Sequence, residues 1–291
     1  MPAAGAVLTG PDHTAIVPGA IGMTLLRPDS DRVDLMRPSP NHGMRIGYAR
    51  PDSIILHYTG MADGPSAIAW LCNPASQVSS HYVVEADGTI LQLVAEERRA
   101  WHAGRSGWMG ETDINSASIG IEIVNGGHPA GLPSFPPVQI DAVTQLSRDI
   151  AARHGIRPER ILAHSDVSPG RKCDPGERFP WHTLFACGIG HWVPEMPGTD
   201  EDELRPGDRG PAVLGLQQAM LTYGYALDAS GEYDDRTRIV IEAFQRHFRP
   251  SVVTGIADAG TRATLAALIS ALPSPDPTGS APDRGRASAS P

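Results

Sequence analysis

Hydrophobic residues along this chain follow a two-residue period in its first part and a helical period further on. In SIILHY, residues 53–58, Ile55 and His57 share one face while Ile54, Leu56 and Tyr58 share the other, which predicts a strand. SAIAWL then reads as a short helix, and HYVVEADGTILQLV splits into two strand-like pieces about Asp87-Gly88. That pair accepts the positive φ of a tight hairpin turn. SIGIEIV, residues 118–124, repeats the strand period with Ile119, Ile121 and Ile123 on one side and Glu122 on the other, a carboxylate that calls for an explanation. Over residues 138–154 the spacing of Val143, Leu146 and Ile150 becomes helical, and Gly155 supplies a C-terminal stop ahead of a short strand at ILAH. Elements mixed in this order predict an α/β domain ending near Cys187.

A second unit follows residues 188–203, an acidic, turn-rich stretch without period that reads as a linker. Val213, Leu216, Met220 and Tyr223 form one helical stripe ending at Gly224, and Val240 with Phe244 continues the apolar face of a later helix. GEYDDRTRIVIEAF from Gly231 and GIADAGTRATLAAL from Gly255 place Gly, Asp and Thr at matching offsets, so Asp234 and Asp258 are expected helix caps. This unit is small, helical and without any nucleophile paired to a base. The first 38 residues, rich in Pro, Gly and Asp, read as a flexible lead-in, and residues 270–291 as a disordered tail.

Composition narrows the function classes. Of 291 residues 41% are hydrophobic, which supports one large core or two modest ones, while 31 glycines and 27 prolines favour ordered loops over long helices. A net charge of −9 repels a phosphate backbone and argues against a nucleic-acid partner. No apolar run is long enough to span a membrane, and the first residues lack the basic end and apolar stretch of a secretory signal. Cys72, Cys173 and Cys187 are too few for a fully paired disulfide framework or a cysteine-only metal site.

The residues that can do chemistry lie on one strand end and one distant loop. His57 ends the first strand; His164 closes the strand at ILAH, and Asp174 follows in a loop stiffened by Pro169, Gly170, Pro175 and Gly176. Two imidazoles and one carboxylate are a donor set for Zn²⁺ that leaves a fourth position for water, the arrangement of a hydrolytic site.

The stretches SPNHGMR, IILHYTG, SSHYVVEADGTILQLV, RRAWHAGRS, SIGIEIVNGG and ILAHSDVSPGRKCDPGERFPW resemble, in that order, the zinc-dependent N-acetylmuramoyl-L-alanine amidases related to phage T7 lysozyme and the bacterial AmpD and AmiD enzymes. The resemblance covers residues 39–187 and implies a mixed central β-sheet flanked by helices, with zinc held by His57, His164 and Asp174. T7-type members carry a cysteine at the third ligand position; here Asp174 aligns, and its neighbour Cys173 is read as a small packed side chain. The implied reaction cleaves the amide between the lactyl group of N-acetylmuramic acid and L-alanine. Glu122 matches the family's acidic proton acceptor, and Lys172 is assigned to oxyanion stabilisation. Trp101 and His102 match a cleft-wall segment, Asn41 and Arg45 the entry segment, and all four are substrate candidates; His81 reads as an internal histidine.

Residues 204–269 resemble the three-helix peptidoglycan-binding domain attached to many cell-wall hydrolases. Its implied role is tethering, so its deletion is expected to harm activity on sacculi more than on a small muropeptide. A wall-binding unit favours the periplasm or cell envelope, with the cytoplasm as the alternative. Two other functions compete: a non-enzymatic peptidoglycan-recognition protein on the same fold, and a zinc peptidase cutting within the stem peptide. The complete donor set together with Glu122 and Lys172 favours the amidase.

Overall fold

The computed structural model describes residues 27–196 and 203–273 in full and the backbone of residues 7–8, 15–19 and 22–26. In chain order the strands are β1 (Val7–Leu8), β2 (Ala15–Gly19), β3 (Gly22–Leu26), β4 (Leu35–Met36), β5 (His42–Met44), β6 (Ser53–Tyr58), β7 (Tyr82–Val84), β8 (Ile90–Gln92), β9 (Arg98–Ala100), β10 (Ser118–Ile123) and β11 (Ile161–Ala163). The helices are α1 (Gly64–Leu71), α2 (Ile114–Ala117), α3 (Pro137–His154), α4 (His164–Val167), α5 (Trp181–Ala186), α6 (Pro211–Tyr223), α7 (Asp235–Phe248) and α8 (Ala259–Ser270).

Six strands form the central sheet in the order β11-β6-β10-β7-β8-β4. The β11, β6, β10 and β7 neighbours run parallel, while β7 and β8 form the antiparallel hairpin that turns at Asp87-Gly88, with Gly88 at φ 90°. The sheet is therefore mixed, with helices packed against it. Alternation decides its two faces: Ile54, Leu56, Ile119, Ile121 and Ile123 join Val143, Leu146 and Ile150 of α3 in one core. The opposite face carries Ile55, His57, Gly120 and Glu122, and only part of it is apolar. Helix α3 ends at Gly155 in the left-handed region (φ 68°), the stop read from sequence.

The C-terminal helices repeat one small device. Asp234 and Asp258 cap α7 and α8, accepting from the N–H of Thr237 (2.8 Å) and Thr261 (2.6 Å). Above each cap a buried glutamine closes the preceding loop: Gln217 accepts from Gly231 N and donates to Glu232 O and Thr237 Oγ1. Gln245 does the same with Gly255 N, Ile256 O and Thr261 Oγ1.

Two boundaries differ from the sequence reading. Val33 is 1% exposed and β4 pairs with β8, so residues 27–38 belong to the folded body because their apolar side chains complete a sheet edge; the remainder of the expected lead-in lies largely outside the described residues. The expected linker begins with packed residues, since Ile189 joins the sheet core and Trp192 lies against Phe248 with ring centroids 5.8 Å apart. Residues 197–202 and 274–291, the rest of that linker and most of the expected tail, lie outside the described residues. Among the described residues no helix is long and apolar enough to cross a membrane.

Candidate metal centre

The site has a strand half and a loop half. In the strand half β6 and β10 are parallel neighbours with Glu122 directly opposite His57, so both side chains leave the same face of the sheet. In the loop half β11 stops at Ala163, and His164 is the first residue of the one-turn helix α4 rather than the last of the strand. The chain then tightens, with Lys172 N bonded to Ser168 O at 3.1 Å, and returns so that Asp174 O accepts from Ser165 N at 3.0 Å. That return brings Asp174 back over His164.

Three donor atoms converge. His57 Nδ1 and His164 Nδ1 lie 2.8 Å apart, and each is 3.0 Å from Asp174 Oδ2. All three residues are at least nine-tenths buried. The partners behind them bear on where the ring protons sit. His164 Nε2 lies 3.1 Å from the carbonyl of Ala103, which can only accept, and 3.2 Å from Arg171 Nη2, which can only donate and itself bonds that carbonyl; the tautomer in which His164 Nε2–H meets Ala103 O turns a bare Nδ1 toward Asp174. On the other side Ser118 donates its hydroxyl to Ile114 O at 2.5 Å and therefore accepts from His102 Nε2 at 3.2 Å. Burial, then the neighbouring His57, His81, His164 and Arg45, hold the His102 imidazole neutral, well below its ordinary range. Its Nδ1 is thus an acceptor for His57 Nε2–H at 3.0 Å, and His57 Nδ1 is bare as well.

Two imidazole lone pairs and a carboxylate oxygen facing one small space repel unless a cation lies among them. Around a tetrahedral Zn²⁺ with bonds of about 2.0–2.1 Å the ligand atoms stand about 3.3 Å apart, a few tenths wider than observed here. The donor types, their number and their protonation all fit zinc. Burial and His164 lower His57 to about 4 against the pull of Asp174, leaving its nitrogen free at neutral pH. Burial alone would raise the Asp174 carboxyl, but His164 and His57 hold it well below the usual carboxylate range. Glu122 goes the other way: burial and then Asp174 push it well up, opposed by Lys172.

A family model described as N-acetylmuramoyl-L-alanine amidase matches residues 47–177, and one described as a putative peptidoglycan binding domain matches residues 209–265. The N-acetylmuramoyl-L-alanine amidase AmiD of Escherichia coli K12 is 40% identical over 241 residues, which cover 77% of this chain and 84% of that protein. The chain belongs to the N-acetylmuramoyl-L-alanine amidase family. Among solved structures, a complex of E. coli AmiD with the substrate anhydro-N-acetylmuramic acid-L-Ala-D-gamma-Glu-L-Lys is 36% identical with a TM-score of 0.66, over 88% of this chain and 97% of that one. AmpDh3 of Pseudomonas aeruginosa in complex with anhydromuramic pentapeptide is 33% identical with a TM-score of 0.65, over 82% and 96%. The amidase is a zinc-dependent hydrolase of the amide that joins N-acetylmuramic acid to L-alanine, and its substrate is peptidoglycan or muropeptide.

The amidase surrounds the triad with a cleft of about 400 Å³ lined by Trp70, Trp101, Glu122, Lys172 and Asp174 among others. Exposed Lys172 stands at its rim, and Glu122 Oε2 is buried without a hydrogen-bond partner. Cys173 also reaches the cleft, but its sulfur is 3.3 Å from the Tyr58 hydroxyl while Asp174 turns to the histidines.

Two substrate candidates are placed differently from the sequence reading, and a third reaches the cleft wall with its nitrogens already engaged. Asn41 is 2% exposed and spends its amide on Asn73 O, Ser76 Oγ and Val78 O, holding the loop after α1. Arg45 donates to the carbonyls of Glu96, Ser116 and Ser118, and burial lowers it to about 10. Neither lines the cleft, because every strong donor on them is consumed by backbone. His102 does touch the cleft, but both of its nitrogens are engaged behind His57, which makes it a support of the metal ligand. Sequence reasoning missed Trp70, 51% exposed on the cleft wall. Its signal was available: α1 buries Gly64, Ala67 and Leu71, and Trp70 lies off that stripe. A larger apolar groove of about 980 Å³ behind α1, lined by Leu35, Ile68 and Leu91, holds none of the three donors.

Proposed function

We propose that Glu122 is the general base and acid of the amidase and that Lys172 stabilises the oxyanion. The supporting observation is the placement of an unpartnered carboxylate and an exposed cation in one cleft with three bare donor atoms. When bound, zinc lowers the pKa of a water molecule and polarises the scissile carbonyl. Glu122 accepts the proton of the attacking water and returns it to the departing nitrogen of L-alanine; an amine leaves far more readily once protonated. Lys172 meets negative charge as it develops on the former carbonyl oxygen, an interaction stronger in the transition state than in the bound substrate. Trp70 and Trp101 offer flat walls to the glycan or stem peptide. Because the two similar structures hold an anhydromuramyl tripeptide and an anhydromuramic pentapeptide, an anhydro-muropeptide is the first ligand to test; the match of residues 209–265 to a peptidoglycan binding domain supports the periplasm or cell envelope as the proposed location.

Mass spectrometry of products from sacculi and from a defined anhydro-muropeptide tests this reading. The expected result is an intact stem peptide beginning with L-alanine, lost on chelation and restored by zinc. A cut within the stem peptide, or turnover that survives chelation, would overturn it.

A further inference from the structure

The sequence reading makes the C-terminal helices a separable tether, yet they share a core with the catalytic domain. Ile55, Trp108, Ile114, Leu162 and Val167 pack with Met220, Tyr225 and Phe244 in one cluster. At the centre of that contact lies Asp166, fully buried on α4, two residues after His164. One carboxylate oxygen accepts from Ala163 N at 2.8 Å, which closes the turn that presents His164. The rest of its hydrogen bonding comes from the other domain: Tyr225 OH donates to Oδ1 at 2.7 Å and His247 Nδ1–H to Oδ2 at 2.6 Å.

His247 is itself clamped. Its ring stacks on Trp181 of α5 with centroids 3.8 Å apart, and on Phe248 at 3.9 Å. Helix α7 also backs the second ligand segment. Arg236 donates to Pro169 O at 3.3 Å, Arg246 lies 3.5 Å from Glu177, and Gly170 sits so close to Ile239 that a Cβ would come within 2.7 Å of its Cγ2. The stretch between these contacts carries Lys172 and Asp174.

We propose that Tyr225 and His247 are positioning residues of the metal centre, acting through Asp166, so that the peptidoglycan-binding domain is part of what holds zinc. A buried carboxylate stripped of these donors seeks other partners and loosens the Ala163–His164 turn, and with it the bare Nδ1 of His164. Supports behind metal ligands typically change affinity by about 10–100-fold. The inference rests on the zinc reading of His57, His164 and Asp174.

The test uses the full chain and measures zinc affinity by chelator competition, beside a thermal melt of the metal-free protein. Tyr225→Phe removes one hydroxyl at nearly constant volume and is expected to weaken zinc severalfold; His247→Leu is expected to weaken it about 10-fold or more. His247→Asn keeps an N–H donor near the Nδ1 position and should recover most of the loss. Leu265→Ala, in the same apolar cluster but with no hydrogen bond to Asp166, should lower the melting temperature and leave zinc affinity unchanged. Unaltered zinc affinity in both Tyr225→Phe and His247→Leu overturns the inference, as does an equal loss in Leu265→Ala. Failure of the unsubstituted chain to bind zinc would instead sink the metal reading itself.

Discussion

The two histidines of the metal centre present the same atom but are held in opposite ways. His57 belongs to a six-residue strand with hydrogen-bonded neighbours on both sides, and the chain behind it, His102 to Ser118 to Ile114 O, lies wholly within the catalytic domain. His164 begins a single helical turn, and the carboxylate that closes this turn is gripped by Tyr225 and His247 from the C-terminal domain. A sheet can carry a ligand on its own backbone order, whereas one turn of helix is too short to do so and borrows rigidity from whatever packs on it. The strand half therefore supplies a ligand and the proposed base from a stiff frame. The loop half supplies two ligands and Lys172 from a frame completed by another domain.

The largest effect should come from removing chemistry without touching either frame. Glu122→Gln keeps the volume and the strand pairing, so zinc content should stay unchanged while kcat falls by about 10²–10⁴-fold, the usual share of a general base. Metal analysis beside steady-state kinetics on a muropeptide checks this. Loss of zinc in the variant would mean that Glu122 supports the cation rather than the proton transfer, and the strand half would no longer be the self-sufficient one.

A smaller effect probes the frame behind His57. Gly120 faces the His102 ring, and a Cβ there would come within 2.5 Å of its Cγ, with both residues held inside the sheet's covered face. Gly120→Ala should cost about 1–3 kcal/mol of stability through overpacking and weaken zinc by pushing His102 away from His57. His102→Leu should weaken zinc about 10-fold or more, while His102→Asn, which keeps an acceptor near the Nδ1 position, should hold it nearly as well as the unsubstituted protein. Equal affinities in the Leu and Asn variants would show that the His57 support is mere packing.

Much of this was legible from spacing. The strand at residues 53–58, the hairpin at Asp87-Gly88, the stop at Gly155 and the caps at Asp234 and Asp258 each follow from local chemistry that tertiary packing did not override. Strand ends and prolines made His57, His164 and Asp174 candidate donors, but 107 residues separate the two histidines and it was the family resemblance that joined the three into one set. The supports were not legible, since a second imidazole or a tyrosine hydroxyl becomes a support only by where folding puts it: Tyr225 and His247 carry no motif. One trace of the domain contact was present all the same. Ile55 shares its strand face with His57, and an isoleucine on the chemical face of a sheet implies an apolar cover, which the C-terminal domain provides.

The subtlest expected effect links the two halves across the cleft. Burial and Asp174 raise the Glu122 carboxyl, and Lys172 pulls it down. Glu122 must be ionised to accept a proton, so kcat should rise with pH through its pKa and level off above it. Lys172→Met removes the lowering charge from the loop half, which raises the Glu122 pKa further and moves the acid limb of the profile to higher pH. It also removes the oxyanion contact, so the plateau should fall as well. The two consequences separate in one experiment, because the plateau reports transition-state charge and the limb reports the proton acceptor. A lowered plateau with an unmoved limb would leave Lys172 as an oxyanion contact only and assign the acid limb to a group that does not sense its charge; a limb that moves to lower pH would contradict the electrostatic coupling of the halves outright.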